Sequence, residues 1–287
     1  MNLQRIIWLA SFPKSGNTWL RSFLAQYFTE DGKAPDINSL KQFTTADVRQ
    51  DFFDRAAGRR FEARDFDDWL RTRVKAVRLI AGSKPGHHFV KTHCQVLRIG
   101  PIDVIEPAVT AAAIHVLRNP FDVAPSYARH LGITVDEAIN KMLEPKALNA
   151  TDTKIFEIVG RWDDHATSWA GSRGLQMHRM RYEDMKADPE RAFRALLGFL
   201  KAPVQDGKLR RALRETSFEA LRKQEDIKGF VERPAGMDRF FAKGQAGAWR
   251  EDLTPAQVSR LREGLLPAIQ RWYPELVEET AEVAARA

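Results

Sequence analysis

The clearest pattern of hydrophobic positions lies near the N-terminal end of the chain. Residues 5–10 contain the continuous apolar run IIWLA, which is typical of a buried parallel strand. A glycine-containing loop follows over 11–17, and apolar side chains then recur at helical spacing over 18–28. The pattern therefore predicts a strand, a loop and a helix in direct succession.

Further strands are predicted along the rest of the chain. A strand is expected over 87–93, another over 111–117, and a third over 175–185, where it runs into a turn. Residues 31–86 carry many charges and predict helices and loops. Strands that alternate with helices favour an α/β fold, in which helices flank a central parallel sheet.

Two later helices are marked by their first residues. A helix over 188–200 is predicted to begin with Asp188 as its N-cap and Pro189 as its first helical residue. A capping box over residues 254–257 predicts the start of another helix, which runs to about residue 271. Both signals place helix boundaries without any reference to tertiary structure.

Composition limits the possible architectures and partners. The chain has 287 residues with 44% hydrophobic content, and it shows no repeat or low-complexity linker, so a single domain over 1–287 is predicted. A net charge of +7 favours an anionic partner: nucleic acid, an acidic membrane surface or a phosphorylated small molecule. Because basic residues are interspersed with acidic ones, nucleic acid and membrane are disfavoured.

Cysteine count and hydropathy indicate the compartment. Cys94 is the one cysteine, which excludes an internal disulfide and a cysteine-rich metal site. The sequence shows no leader pattern, and IIWLA is far too short to cross a bilayer. The expectation is a cytoplasmic protein with no membrane span.

The loop after the first strand carries the first candidate chemistry. Residues 11–19 read SFPKSGNTW, which differs from the nucleoside triphosphate loop G-x-x-x-x-G-K-[ST]. Asn17 stands where that loop has its lysine, and a lysine appears earlier, at Lys14. Main-chain N–H groups and the start of the following helix would cradle an anion, with Lys14 adding a charge. The alternative is a tight turn with a solvated lysine.

A second candidate is the histidine of KTH, at the end of the next predicted strand. Strand alternation places Lys91 and His93 on one face and Cys94 on the other, so a Cys–His dyad is excluded. Ligands of open α/β sheets bind outside such strand ends, and a histidine there could act as a general base. The alternative is a structural, hydrogen-bonded histidine.

A third candidate is Arg118, at the tip of the strand over 111–117. Its guanidinium could hold a phosphate with help from the hydroxyl of Ser126. The alternative is an ion pair with Asp122 on a surface turn. Pro125 interrupts the helix expected after Arg118, so that helix is predicted to kink or to start late.

Two weaker stretches complete the set. TSFEAL, over 216–221, could be only a helix start capped by Thr216 or Ser217. KGQAGAW, over 243–249, is a glycine-containing loop with a lysine, which could be a mobile lid or a connector.

Taken together, these motifs resemble those of the soluble, cytosolic-type sulfotransferases that use 3′-phosphoadenosine 5′-phosphosulfate (PAPS). PKSGNTW, KTH, the pattern R-x-x-x-D-x-x-x-S, MRYEDM, TSFEAL and KGQAGAW follow one another in the family's order and cover almost the whole chain. The resemblance implies a P-loop-like, three-layer α/β fold and PAPS as donor. It implies transfer of a sulfuryl group to a hydroxyl, or as second choice an amine. No carboxylate cluster suggests a metal, so none is predicted, and no nucleic-acid partner is predicted.

The resemblance also implies residue roles. His93 would take the acceptor's proton, and Lys14 would stabilise the leaving phosphate. The residues implied in donor binding are Lys14, Ser15, Gly16, Asn17, Thr18, Trp19, Arg118, Ser126, Tyr182, Thr216, Ser217, Phe218, Lys243 and Gly244. The resemblance leaves the oligomeric state open, as well as the choice among a small-molecule, glycan or peptide acceptor.

The chain departs from the family pattern at two positions. Ala242 replaces the usual arginine before the last loop, so one contact to the 3′-phosphate is predicted to be missing or to come from another basic residue. Ala248 stands where the family usually has aspartate, and neither change touches Lys14 or His93.

Two other functions compete with this interpretation. A P-loop kinase is disfavoured by Asn17 and by the lack of a convincing magnesium-binding aspartate after a strand. A basic protein that binds nucleic acid or another polyanion is disfavoured because the chain shows no basic stripe.

Overall fold

The structure is a computed structural model that describes residues 5–29, 35–62, 66–150 and 155–287. Its strands are β1 (Ile6–Ser11), β2 (Thr45–Ala46), β3 (His88–Thr92), β4 (Arg98–Ile99), β5 (Ile102–Asp103), β6 (Thr110–Leu117), β7 (Leu148–Ala150), β8 (Phe156–Ile158) and β9 (Met177–Arg181). Its α-helices are α1 (Asn17–Phe28), α2 (Leu40–Phe43), α3 (Gln50–Ala57), α4 (Phe66–Ala81), α5 (Pro120–Leu131), α6 (Val135–Leu143), α7 (Trp162–Ala170), α8 (Tyr182–Ala187), α9 (Pro189–Phe199), α10 (Asp206–Glu215), α11 (Phe218–Lys228), α12 (Trp249–Asp252), α13 (Pro255–Trp272) and α14 (Val277–Ala284). Short 3-10 helices lie at Ile37–Ser39, Pro107–Val109 and Pro274–Leu276.

A parallel sheet forms the centre of the fold. Among the described residues it has five strands in the order β2-β3-β1-β6-β9, and every neighbouring pair is parallel. The predicted strands are confirmed as β1, β3, β6 and β9. The sequence missed β2, which lies inside the charged stretch predicted as helices and loops, because two residues are too few to show alternation. Residues 31–34 and 63–65 of that stretch lie outside the described residues.

Alternate side chains of β1 enter different apolar clusters on the two faces of the sheet. Trp8 packs in a cluster that includes Phe53 of α3, whereas Leu9 packs with Phe23 of α1 and Phe193 of α9. A further cluster joins α5, α6, α7 and α13. Helices thus cover both faces, which confirms the predicted α/β fold with a central parallel sheet.

The predicted helix starts at α9 and α13 are confirmed. The side chain of Asp188 accepts a hydrogen bond from the amide of Arg191, 3.0 Å away, and α9 begins at Pro189. Thr254 and Gln257 form the reciprocal capping box of α13. In both cases the capping residues determine where the helix begins, because their side chains bond amides that the helix itself leaves unpaired.

The helix around Pro125 does not start late, so that alternative was wrong. It begins at Pro120, because Asn119 caps it by accepting a hydrogen bond from the amide of Asp122, and it continues through Pro125 to Leu131. Ser126 therefore lies within α5, directly after Pro125. None of the helices in the described ranges is both long and apolar enough to span a bilayer.

Candidate active site

A cavity of about 600 Å³ lies where β1, β3 and β6 end, at one edge of the sheet. Parallel strands bring the loops after Ser11, Thr92 and Leu117 to the same edge, which is where open α/β sheets bind ligands. Most of the residues singled out in the sequence line this cavity. They are Lys14, Gly16, Asn17, Thr18, Trp19, His93, Arg118, Ser126, Tyr182, Phe218, Lys243 and Gly244.

The loop between β1 and α1 has the backbone that an anion cradle needs. Lys14 and Gly16 both have positive φ, 66° and 103°. A Cβ on Gly16 would lie 2.7 Å from the ring of Tyr182, so only glycine fits there. No side chain caps α1, so its first amides point outward as free donors.

Side chains of the loop tie it to the sheet and leave one polar atom without a protein partner. The amide nitrogen of Asn17 donates to the carbonyl oxygen of Leu9 at 2.9 Å, so this side chain anchors the loop. The Ser15 hydroxyl is buried and has no hydrogen-bond partner in the described structure, although Ser15 itself does not line the cavity. A buried polar atom without a partner is costly unless a ligand satisfies it.

Lys14 is positioned as the central charge of the cavity. Burial, and then the charges of Arg118 and Arg129, lower the pKa of the Lys14 ammonium to about 7. Its Nζ lies 4.0 Å from the centre of the Phe240 ring. A bound anion would raise the pKa of Lys14 again, because a negative charge nearby favours the charged ammonium.

His93 has the tautomer of a general base. Its Nδ1 donates to the carbonyl oxygen of Ser11, 2.7 Å away, and a carbonyl oxygen can only accept. Burial, and then the charge of Lys91, lower the pKa of His93 well below 6.5. The ring is therefore neutral at pH 7, with Nε2 as the unprotonated nitrogen.

Cys94 follows the end of β3, and its side chain does not line the cavity. Its side chain is fully buried, and burial raises the pKa of the thiol to about 12. A thiol with that pKa is inert at neutral pH, because the thiolate is the nucleophile.

Arg118 joins the two loops that border the cavity. It donates to the carbonyl oxygen of Lys14 at 3.1 Å and to that of Gln245 at 3.0 Å, and it stacks 4.3 Å above the Tyr182 ring. Its Nε is buried and has no partner within the described ranges. Arg118 is therefore held in place by two main-chain oxygens while one of its donors stays available.

Asp122 is not on a surface turn, so the alternative interpretation of Arg118 and Asp122 as an exposed ion pair was wrong. Asp122 is buried and accepts hydrogen bonds from the amides of Gly247, at 2.7 Å, and Trp249, at 3.0 Å. The carboxylate thus binds the loop over 243–249 to the start of α5. The sequence shows that Asp122 lies close to Arg118 along the chain. It does not show the contact with Gly247, because 125 residues separate Asp122 from Gly247.

Aromatic rings form one end of the cavity. Trp19 meets Tyr182 edge to face, with ring centres 6.0 Å apart. Phe218 lies so close to Gly244 that a Cβ there would fall 2.1 Å from its ring. The ammonium of Lys186 lies 5.8 Å from the Trp19 ring. This end offers flat apolar surfaces with a cation beside them.

Thr216 and Ser217 lie next to this end but do not line the cavity. The Thr216 hydroxyl donates to the carbonyl oxygen of Ala212 at 2.7 Å. Ser217 is the N-cap of α11, as the alternative interpretation expected, and accepts from the amide of Ala220 at 3.2 Å. Both hydroxyls are therefore engaged in local structure.

Sequence reasoning missed several charged residues of the cavity wall. They are Arg21, Arg129, Glu157, Lys186 and Glu232. Arg21 was the one residue of this set that the sequence signalled. It lies one helical turn after the loop, on the apolar face of α1, where an arginine is unusual. Glu232 lies in a segment without helix or strand, so no periodic pattern marks it.

Two other buried histidines give the protein a pH-dependent stability. His115 and His165 are fully buried, and burial lowers the pKa of His115 well below 6.5 and that of His165 to about 3. The unfolded chain therefore binds more protons below pH 6.5, and stability present above that pH is lost as the pH falls. We expect a loss of up to about 1.4 kcal/mol per pH unit for each histidine.

Urea unfolding between pH 8 and pH 5 measures this slope. The His165→Phe variant keeps a ring against Phe12 and should lose its share of the slope. Parallel stability profiles for the variant and the wild type would contradict the expectation.

Comparison with known proteins identifies the family. The model for the sulfotransferase domain matches residues 4–273. The chain belongs to the sulfotransferase family. Its relatives include cytosolic sulfotransferase 10 of Arabidopsis thaliana, 24% identical over 272 residues that cover 88% of this chain and 74% of the relative. Sulfotransferase 1E1 of Mus musculus is 26% identical over 264 residues, with 89% and 80% coverage.

Solved structures show that this sulfotransferase has the fold of its family. A mouse sulfotransferase complexed with PAP matches with a TM-score of 0.63 at 20% identity, covering 99% of this chain and 90% of that one. Retinol dehydratase, in complex with androsterone and the inactive cofactor PAP, matches with a TM-score of 0.66 at 15% identity, covering 94% and 82%. The predicted P-loop-like fold is thereby confirmed, and the chain is a transferase.

Proposed function

We propose that this sulfotransferase uses PAPS as its donor and sulfates a hydroxyl of a small-molecule acceptor, or as second choice an amine. The carrying observation is the uncapped start of α1 behind a loop with left-handed residues at Lys14 and Gly16, beside Arg118 in one cavity. The Nε of Arg118, a buried donor of the cavity lining without a partner in the described structure, fits an anionic ligand.

The donor would be held by three groups of residues. Lys14 with the loop residues 15–18 would bind the 5′-phosphosulfate through amides and one ammonium. Arg118, with Ser126 and the loop at Lys243–Gly244, would bind the 3′-phosphate.

Arg129 is placed to supply the phosphate contact that the methyl side chain of Ala242 cannot make. It lines the cavity and shares Asp252 with Lys243, with an Nη1–Oδ2 distance of 3.6 Å.

The aromatic end of the cavity would receive the adenine. Trp19, Tyr182 and Phe218 provide flat surfaces for a purine ring. Thr216 and Ser217 would contribute through their main chain, since their hydroxyls are already bonded.

Proton transfer and charge stabilisation would be divided between two residues. PAPS supplies the sulfuryl group. His93 would accept the acceptor's proton at Nε2, the nitrogen left free by the bond from Nδ1 to Ser11. Lys14 would neutralise charge on the phosphate that leaves, with positioning and electrostatics doing most of the catalysis, as in phosphoryl transfer.

The kinase alternative is not favoured by the relatives. Asn17, which stands in the lysine position of that loop, uses its side chain to bond the carbonyl oxygen of Leu9.

We propose a metal-independent, cytoplasmic enzyme that is a single domain over 1–287 and has no nucleic-acid partner. The name of the cytosolic Arabidopsis relative supports that location.

Calorimetric titration tests the donor without knowledge of the acceptor. We expect adenosine 3′,5′-bisphosphate to bind more tightly than ATP, with or without magnesium. Arg118→Ala should weaken bisphosphate binding about 10- to 100-fold, since a charged hydrogen bond contributes about 1.5–3 kcal/mol.

The matched control is Arg194→Ala, which removes an arginine from an exposed ion pair outside the cavity and should leave binding unchanged. A preference for ATP with magnesium would overturn the proposed donor.

A further inference from the structure

Two ion pairs border the cavity that His93 lines, within the part of the chain that the structure describes. Arg21 and Glu232 form a bidentate pair with distances of 3.0 and 2.6 Å, and the Arg21 side chain is 4% exposed. Lys91 and Glu157 form a looser pair at 3.7 Å, and the Glu157 side chain is 1% exposed. All four side chains border the cavity, so two positive and two negative charges lie in this part of its wall.

Three of these charges act on the proposed base. Burial is the largest cause that lowers the pKa of His93, and the charges of Lys91 and Arg21 lower it further. Burial raises the pKa of Glu232, but the charge and hydrogen bonds of Arg21, with further help from Lys91 and His93, hold it below its usual value. An acceptor whose hydroxyl reaches His93 therefore shares one cavity with these charged groups.

The segment over 229–242, here called the covering segment, supplies both apolar and charged lining. It contributes Val231, Met237 and Phe240 to the cavity, along with Glu232 and Arg233. The covering segment contains no helix or strand. Its Phe240 ring faces the Lys14 ammonium, so one flat apolar surface lies close to the reacting centre.

This combination distinguishes between classes of acceptor. A purely apolar alcohol would cover the exposed parts of Lys91 and Glu232, whose side chains are 21% and 34% exposed, without replacing their hydrogen bonds to water, which is unfavourable. An anionic acceptor would face the carboxylates of Glu157 and Glu232 as well as the cations of Lys91 and Arg21, so the two balanced pairs give it no net attraction. A neutral polyol can donate to the carboxylates, accept from Lys91 and Arg21, and place its C–H face on Phe240. Arg21 offers a further donor, since its buried Nε has no partner within the described residues.

We infer that the acceptor is a neutral, polyhydroxylated ring compound, of the sugar or cyclitol class. The inference rests on the proposed function of the same site. In the transfer, the bond from sulfur to the 5′-phosphate oxygen breaks, and that oxygen keeps the electron pair. A new bond joins the sulfur to the acceptor oxygen, whose proton passes to Nε2 of His93. The products are the sulfate monoester and adenosine 3′,5′-bisphosphate.

Release of the bisphosphate from PAPS measures acceptor preference directly. The neutral polyols are myo-inositol and methyl β-D-glucopyranoside, the apolar acceptors are the alcohol cyclohexanol and the phenol 2-naphthol, and the anion is D-glucuronate. We expect kcat/KM for at least one polyol to exceed that of every apolar or anionic probe by about tenfold or more, because unpaired polar groups in a site penalise an acceptor that cannot bond them.

A double variant tests whether the Arg21–Glu232 pair carries the preference. Arg21→Met with Glu232→Leu removes both charges together, so neither is left buried without its partner. The preference for polyols over cyclohexanol should fall about tenfold, mainly through KM, while bisphosphate affinity stays unchanged. The matched control is Arg239→Met with Asp226→Leu, a 2.9 Å pair that ties the covering segment to α11 outside the cavity. It should keep the wild-type preference.

The outcomes separate this inference from the proposed function. An enzyme that binds the bisphosphate tightly but prefers cyclohexanol, 2-naphthol or D-glucuronate overturns the acceptor class and keeps the donor. Failure to transfer to either polyol, with tight bisphosphate binding, overturns it too. Loss of preference in both double variants would assign the effect to the covering segment and not to the ion pair. Failure to bind the bisphosphate overturns the proposed function itself.

Discussion

Replacing His93 with alanine is expected to lower kcat by about 10²- to 10⁴-fold, the usual contribution of a general base. The ring is held by the Ser11 carbonyl oxygen at 2.7 Å with its free nitrogen unprotonated. Affinity for adenosine 3′,5′-bisphosphate should stay unchanged, because His93 makes no proposed contact to the donor. The measurement is initial-rate kinetics with the best acceptor of the probe panel, beside a calorimetric titration.

The pH dependence adds a second readout to the same experiment. Burial lowers the pKa of His93 well below 6.5, so the free enzyme already holds the neutral base at pH 6.5. Wild-type activity should therefore not lose its base between pH 8 and pH 6.5. The control is His178→Ala, a half-buried histidine outside the cavity, which should retain wild-type kcat. Near-normal kcat in His93→Ala would refute the assignment of the base.

Replacing Lys14 with methionine is expected to lower kcat by about 10²- to 10³-fold, comparable with the loss of one preorganised electrostatic contact. The variant keeps the length and apolar stem of the lysine against Phe240, while the charge at the leaving phosphate is removed. Lys14→Arg keeps a charge and should recover part of the activity.

Proton uptake on binding distinguishes a charge effect from a packing effect. The pKa of Lys14 in the free enzyme is about 7, so much of it is neutral at pH 8. An anion bound beside it favours the ammonium, and the complex should take up close to one proton at pH 8. Bisphosphate affinity should therefore weaken as the pH rises above 7. Calorimetry in two buffers of different ionisation enthalpy counts the proton, and Lys14→Met should remove it. The same uptake in wild type and variant would refute the role of Lys14.

Local patterns predicted the parts of the molecule that local physics determines. The strand over 6–11, its loop and the cap at Asp188 follow from apolar runs and hydrogen-bonding side chains within a few residues. The cavity residues Lys14, His93 and Arg118 were predictable because parallel strand ends meet at one edge of a sheet.

Contacts between distant segments escaped the sequence. Glu232 meets Arg21 across 211 residues, and no local period or cap marks Glu232. The hydrogen bonds that the amides of Gly247 and Trp249 donate to Asp122 could not be predicted for the same reason. The hydroxyls of Thr216 and Ser217 could serve a ligand or a helix end equally well, and three-dimensional placement decides between these uses.

The bonds that join α5 to the loop over 243–249 have a consequence for synthesis of the protein. Arg118 reaches Gln245, and Asp122 reaches Trp249, each across 127 residues. A growing chain on the ribosome can form the sheet edge and the loop at Lys14 long before residue 249 has emerged. The second wall of the cavity is then still missing. The donor site is therefore incomplete until residues 243–249 have emerged, and a donor cannot contact both walls before then.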